Sequence, residues 1–387
     1  MPAIPTPNQT ISRGDAERLI GATGDELAQL LDAARKTRNR RTGKTVSYSR
    51  KVFVPLTNLC RDRCAYCTFA RPAEDSTAHT MTPGEVLAVA EAGRRAGCKE
   101  VLFSLGDKPE LRYPAHRVWL AGQGFGSTIE YLAAMCKLVF EETGLLPHSN
   151  PGVLTRGDID LLRPVNASMG MMLESTSDRL LEPGEAHYQC PDKTPAVRLR
   201  TLRNAGEARV PFTTGILIGI GETHEERVEA LFAIKDLHDQ YGHIQEVIIQ
   251  NFRAKPDTLF AHRDEPGLLD LTRTAAVARL IFGEEVNVQV PPNLTPGGYS
   301  ALLDAGINDW GGVSPVTCDF INPERAWPKL IHLRSVTARA GFELRERLPV
   351  YPRYVLASST WIPDTLRECV SALTDTSGFV PPDKELW

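Results

Sequence analysis

Along most of the chain, short apolar runs rich in β-branched and aromatic residues alternate with segments whose apolar positions recur every three or four residues. The runs read as strands over 52–56, 100–105, 145–149, 167–173, 212–220, 246–252, 287–290 and 309–312, because strands of a parallel sheet are buried on both faces. Helical periodicity fills the intervals at 83–96, 128–142, 196–205, 225–241, 272–282 and 297–305. Eight such strands with helices between them predict an α/β fold, a (β/α)8 barrel of TIM type. Polar or glycine-rich tails follow several strands, at 106–108, 174–176, 221–223 and 251–253; in such a barrel the chemistry sits at these junctions.

Ahead of the barrel, 15–31 reads as a helix and the basic stretch 35–44 as a solvated linker, with anion binding as the lesser alternative. After about residue 345 the pattern weakens into Pro-rich and apolar segments. The expected division is therefore 1–45 as N-terminal helical extension and linker, 46–345 as barrel, and 346–387 as a C-terminal extension packed on it. No internal repeat or low-complexity tract interrupts this order.

Composition narrows the function classes. With 42% hydrophobic and 24% charged residues and a net charge of -4, the chain has no excess of positive charge for gathering phosphates, so nucleic acid is not an expected partner. No stretch approaches the roughly 18 unbroken apolar residues of a membrane span, and residues 1–10 lack a charged start followed by an apolar run. A cytoplasmic protein without membrane contact is the expectation. The 8 cysteines are too few and too unevenly spread for a disulfide framework, which points to metal binding or catalysis in a reducing compartment.

Three of those cysteines, Cys60, Cys64 and Cys67, stand in a C-x3-C-x2-C spacing just after the first strand. Three thiolates from one loop leave one iron of a [4Fe-4S] cluster open to a ligand, provided that no other cysteine comes near. A structural zinc ion would need a fourth protein ligand. The nearest in sequence are His79 and Cys98, and Cys98 falls at a helix-to-strand junction, on the opposite face of a barrel. Cys136, Cys190, Cys318 and Cys369 are scattered singly and read as small core or loop residues.

The spacing and its place resemble the signature of the radical S-adenosylmethionine (SAM) superfamily. The longer segments 55–60, 64–69, 103–110, 172–175 and 213–223 resemble subunit 1 of the 7,8-didemethyl-8-hydroxy-5-deazariboflavin (FO) synthase family, and the N-terminal half of its fused two-barrel forms, over roughly 46–348. The resemblance implies a lyase of coenzyme F420 biosynthesis with a [4Fe-4S] cluster and SAM as cofactors. Its substrate would be the tyrosine/ribitylaminouracil adduct made by the second subunit of FO synthase, its functional partner, and a one-electron reductant would be needed. The partner's own reaction, or that of a futalosine-pathway radical SAM enzyme, is the alternative on the same scaffold; a zinc-binding or electron-carrying protein is the alternative outside enzymes.

By the same resemblance, Tyr66 lies against adenine, Gly106 and Asp107 hold the methionyl amine, Glu174 and Ser175 meet the ribose or methionyl end, and Arg198 grips the carboxylate. The glycine-rich turn with Gly219, Gly221 and Glu222 borders adenosine. For Asp107 a plain turn role competes. Asn150, Thr214, Asn251, Arg253 and Asn293, at or just after strand ends, are candidate substrate contacts, with helix-cap and turn roles as equal alternatives. No general base stands out: His148 and His187 are isolated and read as structural or exposed before they read as proton carriers.

Overall fold

The computed structural model describes residues 11–386; the reading of residues 1–10 as free of a leader lies outside them. Eight strands form a closed parallel barrel: β1 (Thr45–Thr57), β2 (Glu100–Leu105), β3 (Leu146–Asn150), β4 (Ser168–Gly170), β5 (Phe212–Ile218), β6 (Ile244–Asn251), β7 (Asn287–Gln289) and β8 (Asp309–Val313). Closure comes from β1, which pairs with both β8 and β2. This is the TIM-type (β/α)8 fold of the sequence reading. β4 is shorter than expected because the chain leaves the regular ladder after Gly170 and pairs with β5 again at an isolated bridge from Glu174 to Ile216. A ninth strand, β9 (Glu343–Glu346), extends the sheet in parallel beside the first residues of β1.

Helices cover the outside. The helix Pro83–Arg95 has Thr82 and Glu85 closing a reciprocal cap and proline in its first turn, two start signals that satisfy otherwise orphaned N–H groups. It packs closely on β1: a Cβ on Gly93 would come within 2.5 Å of Val52 Cγ1. The basic stretch expected as a linker is instead the second half of a helix, Gly24–Thr42. Its Leu30, Ala33, Ala34 and Thr37 are buried at helical spacing, and buried Arg38 donates to Ile307 O (2.9 Å) and lies over the Phe342 ring. Long basic side chains can cover apolar surface in this way while carrying their charge.

The C-terminal extension does more than pack on the barrel. Leu348, Val350, Tyr351, Tyr354, Leu366 and Val380 form a second core with Leu146 and Ala167, at the strands' N-terminal ends, and so plug the lower mouth. Arg347 and Pro349 from the same segment reach the interior. A barrel of this type is ordinarily filled by layers of branched aliphatic side chains. Here the lower interior carries Lys51, Glu100, His148, Thr213, Glu246 and Gln289, all inward on strands whose side chains alternate between faces. Among the described residues no helix is long and apolar enough to cross a membrane.

Candidate active site

A cavity of about 340 Å³ opens at the C-terminal ends of the strands and runs down to the polar floor. Cys60, Cys64 and Cys67, on the loop after β1, all line it. Gly106, the first residue after β2, makes that loop possible: a Cβ there would stand 1.9 Å from Leu59 O and 2.7 Å from Cys60 Cα. The next residue donates its backbone N–H to Cys60 Sγ (3.2 Å), a bond that favours a thiolate ligand. Burial pushes the thiols of Cys60 and Cys67 up from their ordinary value, and neighbouring Cys190 together with burial does so at Cys64, so the protein alone keeps them protonated and a metal must displace those protons.

Cys190 is not the isolated residue expected from its place in the sequence, since its Sγ lies 3.9 Å from Cys64 Sγ. The chain returns there after β4, bringing a fourth sulfur to the loop. Two thiolates on one tetrahedral ion would sit about 3.8 Å apart, given metal–sulfur bonds of about 2.3 Å. No third cysteine completes such a site: among the described residues the one group of three ligand atoms mutually within 4.8 Å is Asp62, Asp107 and Asp192. The loop sulfurs are spread wider than a single ion requires, which fits a multi-iron cluster. The zinc alternatives stand apart, as half-exposed His79 pairs with Glu85 and buried Cys98 lies outside the cavity.

Asp62, Asp107 and Asp192 are buried beside the cysteine loop. Asp107 accepts from Val153 N–H (2.9 Å), and burial, helped by Asp192 against Lys108, raises its pKa to about 7. Burial likewise raises Asp62. Asp107 Oδ1 and Asp192 Oδ2 have no hydrogen-bond partner among the described residues, although Lys108 Nζ lies 3.5 Å from the first and Arg61 pairs with the other oxygen of Asp192. Crowded acids with free oxygens favour a cation, and an ammonium would satisfy them.

Across the cavity, Glu174 holds a left-handed backbone (φ 66°) and both carboxylate oxygens are engaged. Lys193 Nζ meets Oε1 at 2.7 Å, and Tyr66 Oη donates to Oε2 at 2.6 Å with His187 Nε2 3.0 Å away. Burial would raise this carboxyl, but Lys193, His187 and Arg198 outweigh it and hold its pKa well below the ordinary range. His187 is thus a buried structural group. Tyr66 lines the cavity with its hydroxyl anchored. Arg198 lines it too, with its guanidinium bonded to Met172 O and Asp192 O.

The other expected residues separate by strand geometry. Asn150, Asn251 and Arg253 line the cavity, Arg253 being held by Glu265 and Leu294 O. Thr214 does not: alternation turns Thr213 inward, and Thr214 Oγ1 accepts from Leu173 N–H on the outer side. Asn293 sits behind the wall and donates to Asp319 (2.9 Å), while Ser175 Oγ accepts from Ser177 N–H. Gly219, Gly221 and Glu222 also lie outside the lining, because the turn is closed on itself. Glu222 accepts from Gly219 N–H and Ile220 N–H and pairs with Arg227, and the two glycines supply positive φ. The sequence reading missed Asp62, Asp192, Lys193, Lys51, Glu100, Glu246 and Arg347. For Glu100 and Glu246 the signal was present, as the single charge on each of two otherwise uncharged strands.

The sequence profile of the Radical SAM superfamily matches residues 54–234. The 7,8-didemethyl-8-hydroxy-5-deazariboflavin synthase of Methanopyrus kandleri is 53% identical over 334 residues, 86% of this chain and 99% of that protein. The FO synthase of Mycobacterium tuberculosis is 50% identical over 383 residues, 95% of this chain but 45% of that protein, so the chain spans about half the length of this relative. Among solved structures, the FeFe-hydrogenase maturase HydG from Carboxydothermus hydrogenoformans shares the fold, with a TM-score of 0.74 at 17% identity over 97% of this chain and 84% of that one. The cysteine loop, the barrel and a full-length relative at this identity lead to one conclusion: the chain belongs to the 7,8-didemethyl-8-hydroxy-5-deazariboflavin synthase family within the radical SAM superfamily.

Proposed function

We propose that this chain performs the ring-closing half of deazaflavin synthesis. It would convert 5-amino-5-(4-hydroxybenzyl)-6-(D-ribitylimino)-5,6-dihydrouracil to FO, with release of ammonia, 5'-deoxyadenosine and methionine. The observation that carries this reading is the continuous cavity from three cysteines of one loop to a polar barrel floor, which puts a radical source and a seat for a polar substrate in one enclosure. When bound, the [4Fe-4S] cluster and SAM supply the 5'-deoxyadenosyl radical that abstracts a hydrogen atom from the substrate.

The chain's own residues divide the remaining tasks. Cys60, Cys64 and Cys67 would hold the cluster. Asp62, Asp107 and Asp192 would receive the methionyl ammonium, whose N–H groups answer the oxygens of Asp107 and Asp192 that accept no hydrogen bond. Lys193 and Arg198 border the same space with positive charge, suited to the methionyl carboxylate. Tyr66, with its ring in the wall and its hydroxyl fixed on Glu174, offers an apolar face to adenine. Glu222, Gly219 and Gly221 would shape the neighbouring turn rather than touch the cofactor. The barrel wall excludes water from the reacting centre.

The functional partner would be the second subunit of FO synthase, which forms the adduct from tyrosine and 5-amino-6-(D-ribitylamino)uracil, and a one-electron reductant would complete the system. The test is to incubate the iron-loaded protein with SAM, reductant and the partner's product. Deazaflavin fluorescence with one 5'-deoxyadenosine released per turnover is the expected result. Tyrosine consumption without deazaflavin would move the assignment to the partner's reaction.

A further inference from the structure

His148 lies on β3 two residues below Asn150, roughly 7 Å down the strand at about 3.3 Å per residue, and it lines the cavity floor. Its hydrogen bonds fix its tautomer. Ser168 Oγ stands 2.7 Å from Pro349 O and 2.7 Å from His148 Nδ1. A carbonyl only accepts and a serine hydroxyl has one proton; that proton goes to Pro349 O, so Ser168 Oγ must accept from Nδ1–H. His148 Nε2 is therefore a bare lone pair, with no hydrogen-bond partner among the described residues. Burial, reinforced by Lys51 and Arg347 against Glu100, takes the imidazole down to about 3 and keeps it neutral.

The surroundings say what this lone pair meets. Gly170 lets the ring sit close: a Cβ there would stand 3.0 Å from Nε2 and 3.2 Å from Thr213 O. The cations of the floor are already compensated, Lys51 by Glu100 (2.7 Å) and Arg347 by Asp309 (2.7 Å) and Glu246 (3.2 Å). An anionic ligand would find no unpaired cation there. What the floor offers is an acceptor without a donor in an enclosed space, and leaving such a group unmet is costly. Phe53 and Trp327, stacked on each other 5.3 Å apart at 5°, add an aromatic stretch to the cavity wall.

We propose that His148 Nε2 reads the ring N–H of a neutral pyrimidinedione seated on the barrel floor, so that the substrate's heterocycle enters first and its other substituents point toward the cysteine loop. This rests on the function proposed above for the nature of the substrate, and on the geometry for the contact. Arg253, Asn251 and Asn150 nearer the mouth then meet the substituents and not the ring.

The test uses iron-loaded protein with SAM, and 5-amino-6-(D-ribitylamino)uracil as a calorimetric probe. Wild type is expected to bind it. His148→Leu is expected to weaken binding by about tenfold or more, the scale of one unmet buried hydrogen bond. His148→Gln, whose Oε1 can replace Nε2 as acceptor, is expected to recover most of the loss. Gly170→Ala, which keeps the histidine but crowds its Nε2, is expected to weaken binding as well, and serves if His148→Leu does not fold. Iron and sulfide content is the loading control. Unchanged affinity in His148→Leu or Gly170→Ala, or no binding by wild type, overturns the inference. Deazaflavin formation is scored separately: probe binding that depends on His148 without turnover to FO would sink the proposed reaction and leave this contact standing.

Discussion

Gly106→Ala is the sharpest perturbation of the cysteine loop that leaves every ligand in place. The added Cβ would stand 1.9 Å from Leu59 O, 2.6 Å from Leu59 C and 2.7 Å from Cys60 Cα, whereas real Cβ contacts essentially never fall below 3.0 Å. All three neighbours are backbone, so no side chain can rotate away, and the loop must retreat by at least about 1 Å. Such a retreat breaks the Asp107 N–H to Cys60 Sγ bond (3.2 Å). Overpacking of this kind costs about 1–3 kcal/mol of stability, and a misplacement near 1 Å at a reacting centre costs about 100-fold in rate. The assays are urea unfolding of the metal-free protein, iron and sulfide per chain after reconstitution, and 5'-deoxyadenosine formation. Full iron content with a wild-type rate in Gly106→Ala would refute the argument that this glycine exists to let the cysteine loop pass.

Four further outcomes are expected. Cys64→Ser should lose cluster iron and 5'-deoxyadenosine formation, whereas Cys190→Ser, despite its sulfur 3.9 Å from Cys64, should keep its iron; equal iron loss in both would make Cys190 a ligand. Lys193→Met leaves the buried Glu174 carboxylate without its 2.7 Å partner and should cost about 3–5 kcal/mol in urea unfolding of the metal-free protein; a loss below about 1 kcal/mol would contradict the pairing. His243 is buried, and burial with nearby His238 lowers its pKa from 6.5 to about 3. The unfolded chain binds the proton that the native state refuses, so this contribution is complete above pH 6.5 and is lost as pH falls toward 3. Between pH 7.5 and 5.0, His243→Phe should therefore lose less stability than wild type, by about 2 kcal/mol; an identical loss would show that His243 titrates normally. Asp62→Asn with Asp192→Asn should weaken SAM binding to the loaded protein by about tenfold or more, one charge-assisted contact being worth about 1.5–3 kcal/mol; unchanged affinity would remove the acids from the cofactor site.

The barrel was legible because its signals are local. Every strand of a parallel barrel needs a buried run and every crossover an amphipathic helix, and both leave a period in the sequence. The cysteine loop was equally plain, since its three cysteines share one short loop. The rest of the site is made by chain segments that meet only in three dimensions. Asp62 and Asp192 are 130 residues apart yet joined by a hydrogen bond from Asp192 N–H to Asp62 Oδ1 (3.2 Å), and Cys190 reaches Cys64 across 126 positions. Nothing in the local pattern marks such partners. Thr214 was misplaced by one residue, and a one-residue error in a strand moves a side chain to the other face. Gly219, Gly221 and Glu222 fit a ligand-binding turn in sequence, but a carboxylate two or three residues on can satisfy that turn's own N–H groups, and here it does. Arg347 lay beyond the boundary drawn at residue 345, on the irregular stretch between β9 and the short helices of the plug, where no strand or helix period marks an inward position.

The central claim is that three cysteines hold a cluster with one iron left for SAM. Electron paramagnetic resonance of the reduced, iron-loaded protein tests it directly when recorded with and without SAM. The expected result is a [4Fe-4S] signal whose g values shift when SAM is added, in wild type and in Cys190→Ser alike. A signal indifferent to SAM, or one that becomes responsive only when Cys190 is removed, would mean that the fourth corner is already closed.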